Sequence, residues 1–261
     1  MAPLSTWILS AWLAFGTTAV DDAPAPPKPA DAARITAYTE TLPGTKVSIR
    51  MVPIPGIDGK PGFWMSECEV TWEVFDLFIF GIDGAREREG EVDAYTRPSK
   101  PYIPPDRGFG HDGYPVISSS YRNAKQFCRW LTAKTGNEYR LPTVKEWRHA
   151  AAAGSTGKYF FGDDPKQLGD HAWFDDNADW TTHPVRKKKP NAWGLYDVHG
   201  NAGEWCVEVG EDGKRRIVLA GGTFQSLAEE VTLLALERPG VWGLASRDLA
   251  LGGLDLLHRP L

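Results

Sequence analysis

The spacing of apolar and polar positions along this chain changes period several times, and each change marks an element. Between Val47 and Ile54 the two kinds alternate closely enough for a strand, followed by the turn signals Pro55-Gly56, Asp58-Gly59 and Pro61-Gly62 on the way to Phe63-Trp64-Met65. From Trp72 to Phe80 the spacing becomes helical, with Val74, Phe75, Leu77 and Phe78 on one face and Thr71 at the N-cap position. A second helical pattern starts at Ser120, places Ala124, Phe127, Cys128 and Leu131 on one face, and ends at Gly136. Thr143 and Glu146 have capping-box spacing and open a third helix, which carries Trp147, Ala150 and Ala151 to a stop at Gly154. Between Gly84 and Gly113 charged residues, proline and glycine predominate, so that stretch reads as loop.

Ahead of these elements, Trp7 to Ala19 forms an apolar run of about 13 residues. That is too short for a membrane span of ~20 residues but matches the core of a signal peptide, with Thr17 and Ala19 offering a small-x-small cleavage site. Residues 1–19 are therefore expected to be a signal peptide, which implies a secreted or periplasmic protein with no stable membrane insertion after cleavage. Against this, only the amino terminus itself carries positive charge before the run, and a frayed N-terminus is the alternative. Ala23 to Ala33 has four prolines and no large apolar residue, which makes residues 20–34 an extended linker and places the folded domain at 35–261.

The chain of 261 residues, 42% hydrophobic and 24% charged, can bury one sizeable core. Its net charge of −5 gives no electrostatic footprint for nucleic acid, and the short basic run Arg186 to Lys189 reads as a solvated loop. Three cysteines, Cys68, Cys128 and Cys206, allow at most one disulfide and form no C-x-x-C; Cys128, on the apolar face of its helix, reads as a buried, inert thiol. The six histidines include no H-x-x-x-H or H-x-H pair, so a zinc or non-haem iron site would have to be assembled from distant segments. No G-x-S-x-G nucleophile signal is present.

The densest chemistry lies between Pro190 and Val207. Asp197 and Glu204 stand seven residues apart with Gly200 and Ala202 between them, so a curled backbone could aim two carboxylates and two carbonyl oxygens at one point, an all-oxygen arrangement that calcium accepts. The same run also reads as an irregular loop in which Asn201 and the glycines supply turn geometry and the acids face water.

This segment resembles the core signature of the sulfatase-modifying factor family, the fold of the formylglycine-generating enzyme, usually written N-x-x-G-L-x-D-M-x-G-N-x-x-E-W. Asn191, Gly194, Leu195, Asp197, Gly200, Asn201, Glu204 and Trp205 match it. Upstream, Glu69-Val70-Thr71 and a long series from Pro115 to Gly154, including Arg140-Leu141-Pro142-Thr143, Glu146 and Trp147, resemble the same family. The resemblance implies an α+β, C-type-lectin-like fold of short helices and small antiparallel sheets with much irregular structure. It also implies a structural calcium ion held by Asp197, Gly200, Ala202 and Glu204, the middle two through carbonyl oxygens. A second calcium site of the family falls near Trp173 and Phe174, where only Asn177 could substitute, and is expected to be lost.

Ile217 to Phe224 resembles the family's strand and turn R-V-x-R-G-G-S-[FWY], after which the formylglycine-generating enzymes carry two cysteines that bind copper(I) as thiolates. Here those places hold Ser226 and Val231, the following histidine is Leu227, and the turn serine is Thr223. Leu254 and Asp255 replace a Phe and an Arg of the family's terminal strand. Copper is therefore not expected. The resulting expectation is an exported, calcium-stabilised binding module for an unidentified protein or peptide, with Thr223, Phe224 and Ser226 in its groove and the 84–113 loop beside it. A formylglycine-generating oxidase, or a related enzyme using the same groove, is the alternative.

Overall fold

The computed structural model describes residues 36–81 and 106–239 and the backbone of 257–258. The expected signal peptide and linker, most of the 84–113 loop, and Leu254 with Asp255 lie outside the described residues.

The alternating stretch at 47–54 forms β2 (Ser48–Ile54), paired antiparallel with β1 (Tyr38–Thr41) and β3 (Phe63–Ser66). β1 pairs with β2 only as far as Met51, so Pro53, which has no amide hydrogen, sits where β2 has a neighbour on one side alone. The sheet continues from β3 to β8 (Leu257–His258) and then β4 (Tyr139–Arg140), in the order β1-β2-β3-β8-β4. A three-stranded antiparallel sheet follows in sequence, β5 (Glu204–Val209), β6 (Arg215–Ala220) and β7 (Leu236–Glu237).

The three helical patterns all form helices. α1 (Trp72–Phe80) buries Trp72, Val74, Phe75, Leu77, Phe78 and Ile79, because it is enclosed by neighbours on more than one face. Phe75 and Phe78 stand against Phe127 of α2 (Tyr121–Thr135), with ring centroids 5.2 and 5.7 Å apart. Thr71 holds the N-cap backbone position of α1, but its side chain makes no capping bond. Instead Thr71 bridges to Pro115, and its carbonyl accepts from Val74 and Phe75. Ser120 does cap α2 through the Asn123 amide, and Gly136 ends it in the left-handed conformation at φ 80°.

α3 (Val144–Ala152) opens with a complete capping box between Thr143 and Glu146. Its left-handed stop comes at Ala153, one residue before the expected glycine. A short fourth helix, α4 (Leu168–His171), lies further on. The apolar residues form two main clusters: one joins α1 and α2 to Trp205, Leu219 and Phe224, and the other joins β2, β3 and α3 to Leu195, Val198 and Cys206. Trp205 and Cys206, adjacent on β5, thus enter different clusters, so the core signature lies between the two.

Candidate functional site: a stapled loop and an adjoining cleft

From Asn191 to Gly203 the chain forms neither helix nor strand, and side-chain amides hold it in place. Asn191 Nδ2 donates to the carbonyls of Ala150 and Ala151, while its Oδ1 accepts from the amides of Trp193 and Leu195. It thereby satisfies two carbonyls at the end of α3 that the helix leaves without partners. Asn201 is fully buried in the left-handed conformation. Its Oδ1 accepts from the His183 amide at 2.9 Å, its amide donates to the Trp173 carbonyl at 2.7 Å, and its carbonyl accepts from the Phe224 amide at 2.9 Å. Three segments distant in sequence are tied to one residue.

The residues expected to hold calcium lie along this stapled loop. Asp197 is 2% exposed; its Oδ2 accepts from the Arg186 amide at 2.7 Å, and its Oδ1 is buried without a hydrogen-bond partner. Burial raises its pKa to about 6, although the Arg186 amide and the charges of Arg186 and Lys188 oppose that rise. Gly200 donates its amide to the Gly221 carbonyl, and Ala202 is fully buried with its amide toward Glu69 Oε1 at 3.4 Å. Glu204, 1% exposed at the start of β5, accepts from Trp147 Nε1 at 3.0 Å.

Gly221 lies against both ends of the loop: a Cβ there would come within 2.7 Å of Glu204 Oε2 and 3.0 Å of the Val198 carbonyl oxygen. Bare backbone at 221 therefore lets Glu204, the Val198 carbonyl and the Trp147 ring, whose Cζ2 would lie 3.3 Å from such a Cβ, approach this closely. Among the described residues, no three His, Cys, Asp or Glu side chains are grouped as metal ligands. A cation here would therefore need the carbonyl oxygens of Gly200 and Ala202 as well as the two carboxylates. Asp197 Oδ1, a buried carboxylate oxygen without a donor, is costly as it stands and of the hard type that calcium would satisfy.

Asn177, the residue considered for the second site, is occupied locally: Oδ1 accepts from the Phe174 amide and Nδ2 donates to the Ala172 carbonyl. The basic run after Val185 is more constrained than a freely solvated loop. Arg186 pairs with Glu67, Lys189 with Asp170, and Lys188 lies over the Trp173 ring at 3.7 Å.

Thr223 and Ser226 line a cleft of about 360 Å³ together with Gln225, Glu229, Glu230 and Glu237. Ser226 Oγ accepts from the Thr223 amide at 3.0 Å. Phe224 does not belong to this groove. It is 1% exposed and packs edge-on against Phe109 at 5.6 Å, because the left-handed backbone at Gly221 and Gly222 turns it into the core. Phe109, in the described part of the 84–113 stretch, is thereby packed against Phe224. Val231 is fully buried, with Cγ1 2.6 Å from where a Gly222 Cβ would stand.

Sequence reasoning gave no role to His199, which is fully buried within the signature and stacked on Phe160, ring centroids 5.2 Å apart. Burial lowers its pKa to about 3 and keeps the imidazole neutral, and its Nε2 accepts from the Phe160 amide. The aromatic run Tyr159-Phe160-Phe161 was the available signal. All three cysteines are free thiols; burial raises Cys128 to about 12, which makes it unreactive.

Short helices, two small antiparallel sheets and a stapled irregular loop define a C-type-lectin-like α+β domain. The chain belongs to the sulfatase-modifying factor family: residues 37–237 match the "Sulfatase-modifying factor enzyme 1-like domain". Among curated proteins it is 31% identical over 111 residues to the formylglycine-generating enzyme of Streptomyces coelicolor, covering 38% of this chain and 33% of that one. It is 35% identical over 106 residues to the enzyme of the same name from Mycobacterium tuberculosis (36% and 33%), and 34% identical over 106 residues to the chaperone protein LppX of Paenibacillus barcinonensis (33% and 38%). The matched region is thus only about a third of each relative's length.

Among solved structures, Treponema denticola variable protein 1 superposes with a TM-score of 0.65 at 21% identity, covering 87% of this chain and all of that one. PvdO from Pseudomonas aeruginosa gives 0.57 at 22%, covering 86% of this chain and 92% of that one. At these identities the likeness concerns the fold alone. No helix among the described residues is long and apolar enough to cross a membrane.

Proposed function

We propose that this domain is an exported, calcium-stabilised binding module of its family, one that does not carry out copper-dependent oxidation of a cysteine. The observation that supports it is the chemistry at the two positions corresponding to the copper ligands. Ser226 presents a hydroxyl engaged by the Thr223 amide, and Val231 presents a buried isopropyl group. Neither is a soft sulfur ligand of the kind copper(I) requires.

Calcium, when bound, would supply positive charge to the buried carboxylates of Asp197 and Glu204. Asp197 and Glu204, with the carbonyls of Gly200 and Ala202, would hold it. Asn191 and Asn201 keep those residues in register, and Gly221 lets Glu204 pack against the backbone without a clash. The ligand surface is the cleft at Thr223 and Ser226. Hydroxyls and carboxylates on the cleft walls suit a polar or basic segment of a protein or peptide.

The test is titration of the full chain with copper(I) under reducing conditions, followed by incubation with a cysteine peptide of the kind found in sulfatases. The expected result is no stoichiometric copper binding and no aldehyde product. Tight one-to-one binding, or a mass loss matching conversion of cysteine to formylglycine, would establish the oxidase reading instead.

A further inference from the structure

α2 carries Arg122, Lys125, Arg129 and Lys134 and not one Asp or Glu, although the whole chain has a net charge of −5. Tyr121, Lys125 and Arg129 recur every fourth residue and so form one stripe along the helix. Like charges at that spacing repel and weaken a helix slightly, and no acidic neighbour on the helix relieves them.

That stripe is one wall of a second cleft, of about 460 Å³, which shares no lining residue with the cleft at Thr223 and Ser226. Lys60, Arg140 and Arg215 approach it from other parts of the chain. Five cationic side chains therefore surround it against a single carboxylate, Glu146. Glu146 is already held by both terminal nitrogens of Arg140 and by the amide and hydroxyl of Thr143. Among the described residues, Lys60, Lys125, Arg129 and Arg215 make no ion pair. The walls between them include Tyr121, whose ring is braced edge-on by Trp205 at 6.1 Å, and the exposed side chain of Val209.

We infer that this cleft binds a phosphate monoester carried on a small apolar or aromatic body. Four unpaired cations suit a dianion better than a carboxylate, and arginine with lysine is the usual pairing for phosphate oxygens. The braced tyrosine and Val209 supply a surface for the organic part. The volume lies in the range of small-molecule sites, and the compact grouping of charge is unlike the extended basic stripe that nucleic acid needs. This inference stands apart from the calcium and copper readings, and its failure would leave them untouched.

The experiment is calorimetric titration of the full chain with phenyl phosphate, phenyl sulfate, benzoate and phenol at low and high salt. Phenyl phosphate is expected to bind at least tenfold more tightly than phenol, more tightly than the two monoanions, and more weakly as salt rises. Lys125→Glu/Arg129→Glu should remove that preference while the melting temperature stays level. Should the double variant not fold, Lys125→Gln and Arg215→Gln separately should each weaken phenyl phosphate several-fold and leave phenol unchanged. Equal affinity for phenyl phosphate and phenol, or a preference that survives these substitutions, overturns the proposal. Preference for phenyl sulfate or benzoate would retain an anion site but overturn its assignment to phosphate.

Discussion

Trp147 Nε1 donates to Glu204 Oε2 at 3.0 Å, joining the core-facing side of α3 to the first residue of β5 across 57 positions of sequence. Both side chains are buried, so the indole satisfies a carboxylate that water does not reach. Trp147→Phe would remove the donor and leave a small void. It is expected to lower the unfolding free energy by about 2–3 kcal/mol, read from urea denaturation at neutral pH. A change below about 0.5 kcal/mol would mean that Glu204 does not depend on this bond.

Calcium should act through the same carboxylate. Added calcium is expected to raise the melting temperature of the full chain, and a chelator to lower it, because a ligand that binds only the folded state stabilises it. Glu204→Gln, which keeps the shape but loses the charge, should abolish the calcium response. A melting curve unmoved by chelator would remove calcium from the account of this fold.

Gly200 has φ 77°, and a Cβ there would lie 1.9 Å from the Trp173 carbonyl oxygen. Neither atom is at the end of a flexible side chain. Gly200→Ala should therefore combine backbone strain with a clash and cost roughly 3 kcal/mol or more. Gly213→Ala is a suitable comparison, since its φ is 71° but it has open space around it. If the two variants lose equal stability, strain alone accounts for the effect and the close approach at Gly200 is not felt.

Glu146 gives an acid-stability prediction. Burial by itself would raise its pKa, but hydrogen bonds from Arg140 and from the Thr143 amide and hydroxyl, with the Arg140 charge, lower it from 4.5 to about 2. A group whose folded pKa is depressed contributes its stability above the unfolded value, and the contribution is lost as pH falls through the folded one. Stability should thus decline between about pH 4.5 and pH 2, with on the order of 2–3 kcal/mol at stake at neutral pH. Glu146→Gln should be less stable at pH 7 and lose part of this slope. Equal slopes in the two proteins would show that other carboxylates govern acid unfolding.

The helices were legible because their signals are local. Ser120 and the Thr143/Glu146 box cap as their spacing implies, for a cap bond spans only three residues. Thr71 was less legible, since whether its hydroxyl caps depends on Pro115, which the sequence places 44 positions away. Phe224 was misplaced for a similar reason: an aromatic after two glycines can face a groove or a core, and Phe109 decided for the core.

By itself, the sequence determined the helical faces, their caps, and a signature dense enough in amides, glycines and acids to mark the family. Tertiary structure alone decided which distant segments meet: Gly221 against Glu204 and Val198, Asn201 against Trp173, His183 and Phe224, and Lys60, Arg129 and Arg215 around one cleft. The physical reason is range. Backbone periodicity and capping act over one helical turn and are written in adjacent residues, whereas a buried carboxylate or a shared electrostatic surface exists only once packing has brought separate loops together.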